Sequence, residues 1–486
     1  MFLGEGLVEA GLIRPEDVQK ALEHQKTSGG TLGESLVSLN MISVEQLESF
    51  FNFSVRSIKS IEDTGLDFNF LMTLVLKIIS VYDFETPSQV SHEIKLPMSI
   101  VSDLMDSARE RGLLEALGAA TQGVRSELRF TVSKAGREWV EEAMSQSMYV
   151  GPAPVSLDDF QIQTEKQRIS YDRVDLNSLK NCLSHLILPD EIIQRLGPAL
   201  NFGGSLLLYG APGNGKTSIA LALARSFQQF IYVPYAIEVS GQVIKVYDPE
   251  IHTEVEIAGG IGRGERTDKL RRNIADKRWV RCRRPTAITG GELTLEMLDL
   301  NFNPYTRFYE APLQVKAIGG VFLIDDFGRQ QARPEQILNR WVVPLERGYD
   351  YLTLHTGKKF PIRFDGLVIF STNLPPRTVL DAAMMRRIPH NYLIGPPSKE
   401  EYVTIFKDVC SSSGLKYSED IVDMLMKDVY EKGTIPLARF HPRFIVDHAF
   451  AQCRFMGTPA ELTLELALDA IQHLFTKVDE GEETWS

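Results

Sequence analysis

Residues 210–217 read GAPGNGKT and satisfy G-x-x-x-x-G-K-[ST] at every fixed position. The residues before them, Ser205-Leu-Leu-Leu-Tyr209, are short and apolar and lie between Gly204 and Gly210, the pattern of a buried strand. Residues 218–225, SIALALAR, are rich in strong helix formers. Strand, glycine loop and helix in that order form the context of a phosphate-binding loop. Gly213 and Gly215 let the backbone close around phosphate oxygens with its N–H groups inward. The helix beginning near Lys216 adds its positive end. Lys216 is placed to reach the β- and γ-phosphates of ATP, and the Thr217 hydroxyl to ligate Mg²⁺. Gly210, Ala211, Pro212, Asn214 and Ser218 complete the predicted cradle. A chance glycine turn is the alternative, and the full motif in full context argues against it.

A second motif, Gly-Val-Phe-Leu-Ile-Asp-Asp over residues 320–326, ends four apolar residues in two acids. It predicts a buried strand delivering carboxylates to its C-terminal end, where open α/β sheets bind ligands. Asp325 is placed to hold the Mg²⁺ shell and Asp326 to orient an attacking water. Asp325 lies 109 residues after Lys216, whereas two β-α units need about 60. The excess predicts an insertion, and residues 237–284 are the place for it. That stretch contains a hairpin around Ser240-Gly241 and a glycine loop over residues 259–264. It ends in a basic segment, residues 263–284, with ten Lys/Arg against three Asp/Glu. Such a segment fits an acidic polypeptide, nucleic acid, a neighbouring subunit, or simply solvent. Residues 230–235 predict the next strand, and residues 367–373 another buried strand ending at Asn373, whose amide suits a γ-phosphate or lytic water. Arg386 and Arg387 sit together at an expected helix end, where a guanidinium fork suits phosphate charge. Arg443 begins a later helix.

Loop, paired acids, Asn373, the arginine pair and Arg443 together resemble the nucleotide site of AAA+ ATPases, over about residues 176–475. The resemblance implies an α/β core with a parallel sheet and a helical lid, Mg²⁺-dependent ATP hydrolysis and a hexameric homo-oligomer acting on a protein client. It makes Asn373 a first sensor, Arg386 or Arg387 the arginine finger supplied to a neighbouring subunit, and Arg443 a second sensor. The family's second acid is usually Glu; the shorter Asp326 implies slow hydrolysis or a shifted water.

Residues 1–51 contain an internal repeat: Leu3-Gly-Glu-Gly-Leu-Val aligns with Leu32-Gly-Glu-Ser-Leu-Val at an offset of 29, and Glu16 and Glu45 match further on. Helix starts are expected at Arg14 and Ser43. This segment resembles the N-terminal domain of type II secretion and type IV pilus assembly ATPases, some of which bind cyclic di-GMP. Phe2 and Thr31 stand where those relatives often carry a basic residue, so protein docking is the expected role. A linker is expected over 52–69. Residues 70–148 follow the order helix, helix, helix, two strands, helix and resemble a winged-helix domain. Between Glu85 and Gly112 five acids oppose three bases, which favours a protein partner over DNA. A second linker over 149–175 leads to the α/β nucleotide-binding domain, 176–397, and the lid, 398–480. The alternatives are a DNA-associated ATPase using the winged helix and the basic segment, and a nucleotide-gated regulator of pilus or secretion machinery. The net charge of −12 opposes a general nucleic-acid binder. No apolar run approaches the ~20 residues of a membrane helix, and the four dispersed cysteines fit a reduced cytoplasmic protein.

Overall fold

The computed structural model describes residues 4, 7–8, 11–28, 32–42, 46, 55, 57–119, 128–255, 276–431 and 436–474. Several expectations fall outside them: Phe2, Thr31, the helix start at Ser43, the glycine loop 259–264, and residues 263–275 of the basic segment.

Five short strands build a central sheet: β1 (Ser205–Tyr209), β2 (Thr286–Thr289), β3 (Val321–Ile324), β4 (Leu367–Thr372) and β5 (His390–Leu393). Their order is β5-β1-β4-β3-β2, and every neighbouring pair is parallel. Parallel strands need both faces covered, hence the buried hydrophobic runs of the three inner strands, β1, β4 and β3. Side chains alternate between two cores, as the strand period of two dictates. Leu206, Leu208, Leu323 and Ile369 face one core with the loop helix Lys216–Ala224. Leu207, Phe322, Ile324 and Phe370 face the other, around Trp341 of helix Pro334–Arg347. The chain is therefore an α/β protein with a parallel sheet flanked by helices.

Residues 230–235 form a strand, Phe230–Pro234, but not in this sheet. It pairs antiparallel with Trp279–Arg283, and β2 takes the place beside the acidic strand. Side-chain period alone does not decide which partner a strand takes; here the outer pair buries Ile231 against Cys282 and Trp279. The hairpin is present as strands Ala236–Val239 and Gln242–Lys245, with positive φ at both Ser240 and Gly241. Two positive φ values in a two-residue loop match the right-handed twist of the strands.

Residues 149–175, expected as a linker, instead hold strand Val155–Ser156 and helix Leu157–Lys166, with Val155, Phe160 and Ile169 buried. In the segment expected as a linker over 52–69, Ile58 and Leu66 are buried against the following helices. Apolar residues spaced singly among polar ones hid this packing. Helices Phe68–Tyr82, Pro87–Ile94 and Met98–Glu110, a ribbon of Leu114–Ala119 with Leu128–Val132, and helix Lys134–Gln146 surround one core, which also takes in Ala236 and Val243 of the hairpin.

The described end of the basic segment is partly internal. Arg278 is 1% exposed, bonds Asp276, and donates to the carbonyls of Thr64 (2.9 Å) and Pro154 (2.8 Å). Arg284 pairs with Asp172 at 2.9 Å and donates to the carbonyls of Gln167 and Gly319. These two arginines hold segments together and present no face to a phosphate backbone. After β5 come helices Lys399–Ser413, Glu419–Leu425, His441–Met456 and Leu464–Leu474 with a separate core. Among the described residues, no helix is long and apolar enough to cross a membrane.

Candidate nucleotide site

Strand order reverses between β1 and β4, the crevice position where doubly wound sheets bind ligands beyond the carboxyl ends of their strands. The glycine loop leaves β1 at this point. Gly210 has φ +143°, and a Cβ there would lie 2.3 Å from the Ile394 carbonyl oxygen. Gly213, at φ +76°, passes directly under Phe440, where a Cβ would lie 2.1 Å from the ring. Gly215, at φ +87°, caps the nine-residue helix Lys216–Ala224. Positive φ turns successive N–H groups to one side and makes an anion-binding concavity.

Lys216 folds over this loop. Its Nζ donates to the carbonyls of Gly210 (2.9 Å) and Ala211 (3.0 Å) and to Asn373 Oδ1 (2.6 Å). Burial pulls its pKa below the ordinary lysine value, against the pull of the Asp326 and Asp325 carboxylates. Asn373 follows β4, between the loop strand and the acidic strand, and its amide donates onward to Asp326 Oδ1 at 2.9 Å. The Thr217 hydroxyl donates to Asp325 Oδ2 at 2.8 Å. Asp325 extends the sheet, its N–H bonded to Thr289 at 2.8 Å, while Asp326 turns into the left-handed region at φ +47°. Gln330 donates to both their carbonyls, and Phe327 N–H bonds Ser371, so the turn is held from both sides. Lys216, Thr217, Asp325, Asp326 and Asn373 thus form one connected group. The hydroxyl and carboxylate oxygens of Thr217 and Asp325 are hard donors that fit Mg²⁺, which keeps its other positions for water and phosphate.

The remaining predicted residues divide. Asn214 is buried and its side-chain oxygen accepts from Arg439 N–H at 3.3 Å. Pro212 and Ser218 are exposed at the loop. Arg386 and Arg387 end helix Ala382–Arg387. Arg387 is bonded within the chain to Glu346, at 2.8 and 2.6 Å, while Arg386 is exposed. Arg443 bonds Asp447 one turn along its own helix, with its side chain 64% exposed. Among the described residues, Arg439 meets the loop through its backbone N–H on Asn214. Its guanidinium bonds Glu401 at 2.9 Å and the Ile187 carbonyl, and the next residue, Phe440, donates from N–H to the Gly213 carbonyl at 3.1 Å. Arg443, expected near the nucleotide, is paired along its own helix, while Arg439 and Phe440 contact the loop.

Sequence reasoning also missed a cleft of about 390 Å³ beside Gly213–Gly215. Its walls come from Ile187, Leu188, Ile219, Ile405, Val409 and Phe440, with Asp408 at its edge. A slot with apolar walls and a few polar groups, opening onto the glycine loop, has the dimensions and chemistry for a planar heterocycle. Its apolar residues come from two helices, the chain before helix Asp190–Phe202 and the turn before helix His441–Met456, and carry no local motif.

A family model described as a domain of unknown function, DUF8689, matches residues 398–473, the C-terminal helices. Among curated proteins none matches the chain. Solved structures similar to it include a mutant of RuvB from Thermotoga maritima, 15% identical with a TM-score of 0.33, spanning 68% of this chain and 76% of that one. Another is NtrX from Brucella abortus in complex with ADP, 11% identical with a TM-score of 0.34, spanning 60% of this chain and 52% of that one.

Proposed function

We propose that the chain is an AAA+ ATPase that works as a homo-oligomer, a hexameric ring, and remodels a protein partner recruited by residues 1–150. The observation that carries the reading is the unbroken set of bonds from Lys216 through Asn373 to Asp326, with Thr217 on Asp325 beside it. In this reading the loop N–H groups and Lys216 hold the β- and γ-phosphates. Thr217 and Asp325 would hold Mg²⁺, which would supply neutralising charge to the phosphates. Lys216 exchanges its two loop carbonyls for phosphate oxygens, and that added negative charge offsets the cost of its burial. Asp326 accepts a proton from the attacking water and Asn373 orients it. The nucleobase lies in the cleft under Phe440.

Arg386 is exposed and outside the group. It is the arginine we assign to a neighbouring subunit's γ-phosphate, a contact that can contribute ~10³–10⁵ in rate. Residues 70–148 dock protein, since their third helix carries acids at Asp103, Asp106 and Glu110.

Two variants test the assignment together. Lys216→Ala should lose MgATP binding by calorimetry, and Asp326→Asn should bind MgATP but release no phosphate. Mixing Lys216→Ala with Arg386→Ala chains should restore part of the activity that each lacks alone, because the first still offers Arg386 to the second's intact loop. Mixtures that stay inactive while both variants assemble would remove the shared site. An Asp326→Asn chain that remains monomeric with MgATP by light scattering would remove the ring.

A further inference from the structure

The C-terminal helices hold a group of side chains that the nucleotide site does not use. Helix His441–Met456 carries His448, and helix Leu464–Leu474 carries Asp469 and His473. Asp469 and His473 are four residues apart, so they lie one above the other on one helix face. His448 Nε2 is 3.1 Å from Asp469 Oδ2, and His473 Nε2 is 3.8 Å from Asp469 Oδ1. One carboxylate therefore meets imidazoles on both its oxygens, each from a different direction. One donor atom from each of the three residues lies within 4.8 Å of the other two. The two rings are 5.2 Å apart, and His448 also stacks on Phe444 one turn earlier, which restricts its rotation.

We propose that His448, Asp469 and His473 bind one divalent transition-metal ion of the zinc class, joining the last helix to helix His441–Met456. A tetrahedral ion with nitrogen and oxygen ligands at about 2.0–2.2 Å places its ligand atoms roughly 3.3–3.6 Å apart by simple geometry. The two imidazole nitrogens approach the carboxylate at 3.1 and 3.8 Å, on its two different oxygens, so a small rotation of the carboxylate presents one oxygen to both at such a spacing. Side-chain rotation alone closes the third, because two ligands share a helix and the third faces them from a packed neighbour. Two imidazoles with one carboxylate select zinc, cobalt, nickel or copper over magnesium or calcium, which prefer all-oxygen sites. This ion is therefore separate from the Mg²⁺ of the loop. His473 is 63% and Asp469 40% exposed, so the remaining coordination positions open to water. The metal-bearing helix begins immediately after Phe440, whose ring covers Gly213, so the ion braces the scaffold that closes over the nucleotide.

The test uses the full chain stripped of metal by chelation and titrated with zinc alone in a calorimeter. Cobalt alone, titrated in parallel, reports ligand number through its visible absorption. One saturable site per chain is expected, weakened in His448→Ala and in His473→Ala by more than the about 100-fold that outer-shell changes reach. Thr217→Ala should leave zinc binding as in wild type. His473 is exposed enough that its alanine variant should melt like the metal-free parent, so lost binding there is not lost folding. Absence of a one-per-chain site in the parent, or undiminished binding in His473→Ala, overturns the proposal and leaves an ordinary ion pair.

Discussion

Gly213 carries two constraints at once. Its φ of +76° disfavours any side chain by about 1 kcal/mol, and a Cβ would meet the Phe440 ring at 2.1 Å. Gly213→Ala should lower stability by about 1–3 kcal/mol and weaken nucleotide binding. Adding Phe440→Ala should return the steric part and leave the backbone part, as thermal melts of the single and double variants would read. If the second substitution returns nothing, the ring is not what the loop leans on. Asp326 poses the complementary question. Its left-handed φ of +47° suits Asp and Asn better than Glu, because a short polar side chain can bond locally there. Asp326→Asn should therefore melt with the parent. Asp326→Glu, which under the proposed function supplies a longer acid at the same place, should melt lower by the equivalent of about 1 kcal/mol and gain no turnover. A faster, equally stable Glu variant would show that the turn adapts freely. The residue types at 213 and 326 were visible in the sequence; their φ values were not, because the contacts around each, Phe440 over Gly213 and Ser371 beside Asp326, come from segments far along the chain.

At the scale of elements, the twin arginines separate by what their helix packs on. Helix Ala382–Arg387 lies against Pro334–Arg347, and only Arg387 reaches Glu346. Arg387→Ala should cost no more than about 1 kcal/mol, as partly exposed ion pairs do, and keep most activity. Arg386→Ala should leave the melting temperature unchanged and abolish phosphate release. The opposite ranking, measured on the same preparations, would move the finger to Arg387. Arg284 shows how charge counting along a segment misleads. It lies among ten basic residues, yet its guanidinium is buried on Asp172 and the Gly319 carbonyl, between strand Trp279–Arg283 and β2. Arg284→Ala leaves a buried carboxylate without its cation and should destabilise by about 3–5 kcal/mol, read as a lowered urea midpoint. A surface role would instead leave the midpoint in place. Periodicity located the strands of this region; the partner each chose depended on which apolar faces were left to cover.

For the whole molecule, one source of acid sensitivity lies in the C-terminal helices. His441 is 3% exposed, and its Nδ1 lies 3.1 Å from the Tyr430 hydroxyl, which in turn bonds Tyr402 at 2.8 Å. Burial lowers its pKa from 6.5 to about 4. An unfolded chain takes up this proton near pH 6.5 and the folded chain only near 4. The stability held above pH 6.5 is therefore lost as pH falls towards 4, by on the order of 3 kcal/mol. Urea unfolding followed by the C-terminal tyrosines should show this slope, and His441→Gln should flatten it; equal slopes in both would place the acid sensitivity elsewhere. Because Phe440 precedes His441 and covers Gly213, the same acidification should loosen the cleft beside the loop. The sequence by itself determined the glycine loop between strand and helix, the acidic strand and the α/β class, since each follows from residue types at fixed spacing along the chain. The tertiary structure alone decided that Arg439 and Phe440 rather than Arg443 meet the loop, that Arg278 and Arg284 are internal, and that His448, Asp469 and His473 converge. Each depends on which of several chemically equivalent side chains two distant segments bring together, and packing, not local propensity, makes that choice.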